Sequence, residues 1–174
     1  MASQDSILDN VQVFLAHAIR LESDAARRFE DLMHSMDGAG NDEVSSLFAR
    51  LAEFSRKHLK AAQARGGFRE IPEIKPGQFQ WPSGVTPEAA GWWGVDGTMD
   101  VAGALDLALE GEQSGYEFYA QVATASTNPE LVHLAQEFAS EEAEHVAELE
   151  RWIMRFGTPN ASTPTHQQNS GLVK

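Results

Sequence analysis

The sequence predicts an all-α protein, a bundle of four long helices with a long crossover between the second and the third. Three observations carry this. Apolar residues recur at three- and four-residue steps through four segments. Capping residues and glycines stand at the ends of those segments. The second half of the chain repeats chemistry laid down in the first.

The first helix is predicted from about Ser6 to Met36, with Ile7, Val11, Phe14, Leu15, Ala18, Ile19, Leu21, Ala25, Phe29 and Leu32 on its apolar stripe and Gly38 and Gly40 ending it. The second starts at Asn41 or Asp42, either a good N-cap. It runs through Val44, Leu47, Phe48, Leu51 and Phe54 to Ala64, where Gly66-Gly67 stops it. The third covers Thr98 to Ala125, with Val101, Ala104, Leu105, Ala108, Leu109, Tyr116, Tyr119 and Val122 as its apolar positions. The fourth has the plainest start, Asn128 as N-cap and Pro129 at the first helical position. It ends at Phe156, with Gly157 at the C′ place and Pro159 beyond.

The domain is read as residues 1–157. Within it, residues 66–97 form a Gly- and Pro-rich connection containing Trp81, Trp92 and Trp93. So long a connection suits a crossover along the side of a four-helix bundle. Its tryptophans can pin it to the bundle or fill a subunit contact, and packing is the favoured reading. Residues 158–174 are polar and are read as a disordered tail.

The 13 basic and 26 acidic residues leave a net charge of −13, which argues against a nucleic-acid partner because phosphates would be repelled. There is no cysteine, which excludes disulfides, thiolate metal sites and iron–sulfur clusters. No apolar run reaches membrane-spanning length, and the opening MASQDSILDN lacks the pattern of a signal peptide. The expected location is the cytoplasm, with no membrane partner.

The repeat supplies the chemistry. Ala18-Ile19-Arg20-Leu21-Glu22, followed by Phe29, matches Ala108-Leu109-Glu110-Gly111-Glu112, followed by Tyr119, at an offset of 90 residues. Leu51 to His58 matches Phe138 to His145 at an offset of 87. A duplicated helix pair gives a bundle with pseudo-two-fold symmetry, in which each helix offers equivalent residues to one central point. Those residues are Glu22 and Glu112, then Ser55 with His58 and Glu142 with His145. Residues three apart on a helix project from one face, so Glu142 and His145 can share one metal ion. Carboxylates and imidazoles converging inside a bundle can hold two iron or manganese ions. The alternative for each residue is a solvated helix face, to which Glu137, Glu141, Glu144, Glu148 and Glu150 are assigned. His17, His34, His133 and His166 are read as surface residues, and Tyr116 as a core tyrosine.

On these motifs the chain resembles the ferritin-like superfamily, and within it the rubrerythrin-type di-iron carboxylate proteins without a rubredoxin domain. The family pattern is Glu-x6-Tyr on helices one and three and Glu-x-x-His on helices two and four. The resemblance implies Glu22 and Glu112 as terminal carboxylate ligands, Glu142 as a bridging ligand, and His58 and His145 as the imidazole of each metal. Tyr119 is the implied catalytic neighbour, steadying a ligand by hydrogen bonding.

Three positions depart from the pattern. Ser55 stands where helix two offers a bridging glutamate, Phe29 replaces one tyrosine, and Gly115 replaces a further glutamate. Glu53 does not substitute for the bridge, because it lies roughly 140° around the helix from His58. The resemblance implies iron, two ions per chain or one at a reduced site, with manganese or zinc as other occupants. The implied activity is reduction of peroxide or dioxygen with a separate electron donor, or oxidation of ferrous iron. The alternatives are non-catalytic metal binding and a purely structural bundle. A homodimer is expected, with the aromatic crossover as its candidate contact.

Overall fold

The computed structural model describes residues 6–75, 77–81 and 100–157. Its elements are α1 (Val11–Gly38), α2 (Asp42–Gly66), α3 (Val101–Ala125) and α4 (Pro129–Gly157), with no strand among the described residues. Each helix starts on a side-chain cap. Asn10 accepts from the amides of Gln12 and Val13, Asn41 from Val44, Asp100 from Gly103, and Asn128 from Glu130 and Leu131. The start of α3 therefore lies at Val101, three residues after the expected Thr98, because Asp100 takes the capping role. Gly40 and Gly67 both have positive φ, at 74° and 55°, and turn the chain just past α1 and α2.

The result is an all-α four-helix bundle built from two helix pairs, α1 against α2 and α3 against α4. Its apolar interior falls into two clusters. One gathers Phe14, Leu15, Phe118, Tyr119, Leu131 and Phe138 around the N-terminal half of α1. The other gathers Phe29, Leu32, Phe48, Leu51, Leu105 and Leu149 around its C-terminal half. Glu22, Ser55, Glu112, Glu142 and His145 are buried at the level between the two. The bundle thus sandwiches a polar layer between two apolar plugs. Ion pairs Arg50–Glu148 and Arg155–Glu43 bridge α2 to α4 on the outside, a modest contribution at exposed positions.

His17 is a correction to the sequence reading. It is completely buried, on the same stripe as Phe14 and Leu21. Its Nε2 accepts from the amide of Gln80 at 2.8 Å, so the proton must sit on Nδ1, which donates to the Val13 carbonyl at 2.8 Å. Phe79, Trp81 and Phe118 pack around the ring. The first part of the crossover is therefore strapped to α1, and Trp81 is an intrachain packing residue. Trp92, Trp93, His166 and the 158–174 tail lie outside the described residues. His34 and His133 are exposed, as expected. None of the described helices is long and apolar enough to cross a membrane.

Burial holds the His17 pKa below its ordinary 6.5, partly offset by the bond to Val13. The unfolded chain then takes up a proton that the native ring refuses. Stability from this contact is present above pH 6.5 and is lost as pH falls. The difference in unfolding free energy between the wild type and His17→Gln should shrink below that pH. Urea unfolding at several pH values measures it, and a constant difference would contradict the strap.

Candidate metal centre

Each helix contributes to the polar layer through the residue that its apolar stripe carries inward. Glu22 continues the Phe14–Ala18–Leu21–Ala25 stripe of α1, and Glu112 follows Ala104, Leu105 and Ala108 on α3. On α4, Glu142 and His145 lie one turn apart on the face that also carries Phe138 and Leu149. On α2, Ser55 and His58 occupy the matching turn.

The five residues expected to bind metal do converge. Glu22, His58 and Glu142 bring one ligand atom each to within 4.8 Å of one another, and so do Glu112, Glu142 and His145. Glu142 belongs to both groups, which is the placement a bridging carboxylate needs. His145 Nδ1 lies 3.1 Å from Glu112 and 3.6 Å from Glu142, and His58 Nδ1 lies 3.7 Å from Glu22. The two imidazole rings stack at 5.2 Å and 11° between planes. The Tyr119 hydroxyl donates to Glu22 at 3.1 Å.

Electrostatically this layer is unfavourable without added positive charge. Three carboxylates share an apolar interior. Burial, then the charges of Glu112 and Glu22, push the Glu142 carboxyl well above the usual carboxylate range. For His58, burial opposes the charged ring, but Glu22, Glu141 and Glu142 outweigh it and the pKa is raised. For His145, burial is likewise outweighed by Glu142, Glu22 and Glu148. Protons or a cation must therefore neutralise the layer.

One atom favours a cation. His58 Nδ1 is buried and has no hydrogen-bond partner, although it points toward Glu22. A buried nitrogen without a partner costs about 1–3 kcal/mol, which coordination would remove. Imidazole nitrogen with carboxylate oxygen, and no sulfur, suits first-row divalent metals such as iron, manganese and zinc. The residues fit a metal ion.

The departures have physical counterparts. Ser55 is buried at the layer, so no fourth carboxylate comes from α2. Glu53 points outward and pairs with Arg56. Phe29 stacks on Phe48 in the apolar plug. A Cβ at Gly115 would sit in ordinary contact with the Glu142 carboxyl, at 3.5 Å, so this position of α3 lies directly beside Glu142. Tyr116 is 42% exposed and corrects the expectation of a core tyrosine. Glu141, assigned to the solvated face, lies 3.5 Å from His58 Nε2. Sequence periodicity could have found His17, three after Phe14 and four before Leu21. It could not have found the Glu141–His58 contact, which depends on the packing of α4 against α2.

Comparison with known proteins gives one relationship. The crystal structure of an uncharacterized conserved protein from Magnetospirillum magnetotacticum, at 2.00 Å, is 34% identical to the chain. The match covers 86% of this chain and 96% of that one, with a TM-score of 0.67. No protein-family model and no curated protein matches the chain.

Replacing Glu142 by Gln removes the carboxyl that burial and two neighbours disfavour. Its raised native pKa means that it costs stability above the unfolded value of 4.5. Glu142→Gln should therefore raise the stability of metal-free protein at neutral pH by about 1 kcal/mol or more, while weakening metal uptake. Thermal unfolding with and without metal reads both effects. A metal-free variant no more stable than the wild type would contradict the electrostatic account.

Proposed function

We propose that this chain, which belongs to the same family as the Magnetospirillum magnetotacticum protein, is a metal-binding protein of the ferritin-like, rubrerythrin type. The observation that carries the reading is Glu142, shared by two ligand groups whose remaining members are one carboxylate and one imidazole each. Glu22, His58 and Glu142 would hold one ion, and Glu112, His145 and Glu142 the other. Iron is the preferred occupant, with manganese or zinc as alternatives.

The activity that best uses such a centre is reduction of peroxide or dioxygen, or oxidation of ferrous iron. A pair of ferrous ions would supply the two electrons that a peroxide takes up, with a separate donor restoring them. The protein's own groups do the rest. The Tyr119 hydroxyl holds Glu22 in one orientation, and the phenylalanines on either side of the layer exclude bulk water. Ser55 leaves the α2 side of the centre short of a carboxylate, a place that water or an exogenous carboxylate would fill.

The same Ser55 favours a second reading, metal binding without turnover. A serine hydroxyl is a poor ligand at neutral pH. Three carboxylates balance two divalent charges less well than four. We further propose a homodimer, which a monomeric mass at micromolar concentration would contradict.

The test is an anaerobic ferrous titration of metal-free protein, followed by peroxide addition with a reductant present. Two irons per chain and peroxide consumption in proportion to iron are expected. Iron bound without consumption supports the second reading, and protein that binds none of iron, manganese or zinc rejects both. His145→Ala should weaken binding most among single variants. Ser55→Glu should tighten two-metal binding while lowering metal-free stability. Equal metal content in all three proteins would contradict the site.

A further inference from the structure

The two histidines of the polar layer are related by the repeat, yet their outer surroundings differ in kind. Both turn Nδ1 toward the carboxylates. His58 turns Nε2 toward Glu141, at 3.5 Å. The residue that matches Glu141 across the 87-residue offset is Phe54, and Phe54 stacks on His145 at 5.5 Å and 28°. One imidazole thus has an anionic acceptor beside it, and the other lies between two rings. Glu141 is about half exposed while His58 is largely buried, so the acid reaches in from the surface.

A neutral imidazole carries one proton, on one nitrogen or the other. In His58 the choice decides whether the buried Nδ1 offers a lone pair or an unsatisfied N–H. A carboxylate beside the outer nitrogen of a ligand histidine fixes the tautomer and the ring orientation and strengthens the inner nitrogen as a donor to metal. His145 has no such acid at the matching position. Stacking on Phe54 and His58 holds its plane, and Glu112 and Glu142 face its inner nitrogen.

We propose that Glu141 is a positioning residue for His58: its carboxylate takes the Nε2–H and aims the Nδ1 lone pair at the cavity, so that the two metal positions are chemically unequal. Glu141 also places a fourth carboxylate beside a layer that Ser55 has left with three. It stands one imidazole further out, so it tunes the position held by Glu22 and His58 and leaves the other alone. The inequality of the two positions rests on the metal-binding reading above; the tautomer does not.

The experiment has two arms, on the full chain. In metal-free protein at alkaline pH, where the rings are neutral, nitrogen-detected NMR assigns the tautomer of His58. The wild type should carry its proton on Nε2. Glu141→Ala should move the population toward Nδ1, and Glu141→Gln should retain most of the wild-type state, because its amide oxygen still accepts. In the second arm ferrous ion is titrated anaerobically into each variant and into Glu144→Gln as a surface control. Glu141→Ala should weaken one of the two binding steps by about 10–100-fold and leave the other, and Glu144→Gln should change neither.

A wild-type His58 protonated on Nδ1 would overturn the proposal, as would a tautomer indifferent to Glu141→Ala. Equal weakening of both steps would overturn the inequality and reduce Glu141 to a general charge effect. Wild-type protein that takes up none of iron, manganese or zinc would reject the metal-binding reading, and the tautomer arm would then still decide whether Glu141 holds the ring.

Discussion

The structure turns on three buried carboxylates and two imidazoles held at one level of an apolar bundle. Ionised groups in such a place lose their hydration, and like charges a few ångströms apart repel. The chain supports them from both sides. Apolar plugs above and below fix the helix rotations, and those rotations leave Glu22, Glu112 and Glu142 no outward alternative. Burial that costs stability in the absence of cations would become affinity in their presence, because the groups are already assembled and already poor in solvent.

Approximate two-fold symmetry explains why the layer has paired parts, and its defects explain why the halves are unequal. Glu22 and Glu112 occupy matching positions, as do His58 and His145. The matches then fail at Ser55 against Glu142, at Phe29 against Tyr119, and at Phe54 against Glu141. Tyr119 donates to Glu22, a residue of the opposite helix pair, so one half's hydroxyl serves the other half's carboxylate. Glu142 lies beside Gly115 and is the shared member of both groups. A bundle with these differences keeps a geometry that could hold a metal ion.

The crossover is part of the same mechanical system. His17 lies five residues before Glu22 on α1, and its two nitrogens join Val13 to Gln80 through one buried ring. Trp81 and Phe79 then close over it, against Phe118, which is the neighbour of Tyr119. The strap therefore stiffens the apolar plug that carries the hydroxyl donor to Glu22.

The sequence by itself determined the four helices, the N-caps of α2 and α4, the duplication and the five residues that converge. Helical periodicity and cap chemistry are local, and the repeat aligns ligands without any knowledge of distance. The outward place of Glu53 was also legible, because helix geometry alone sets its angle to His58. The tertiary structure decided what depends on how one helix is rotated against another. It buried His17, left Tyr116 at the surface, put Gly115 under Glu142, and brought Glu141 to His58. A residue at the edge of an apolar stripe can face a neighbour or the solvent with the same periodicity. Only the packing of α4 on α2, and of the crossover on α1, chooses between them.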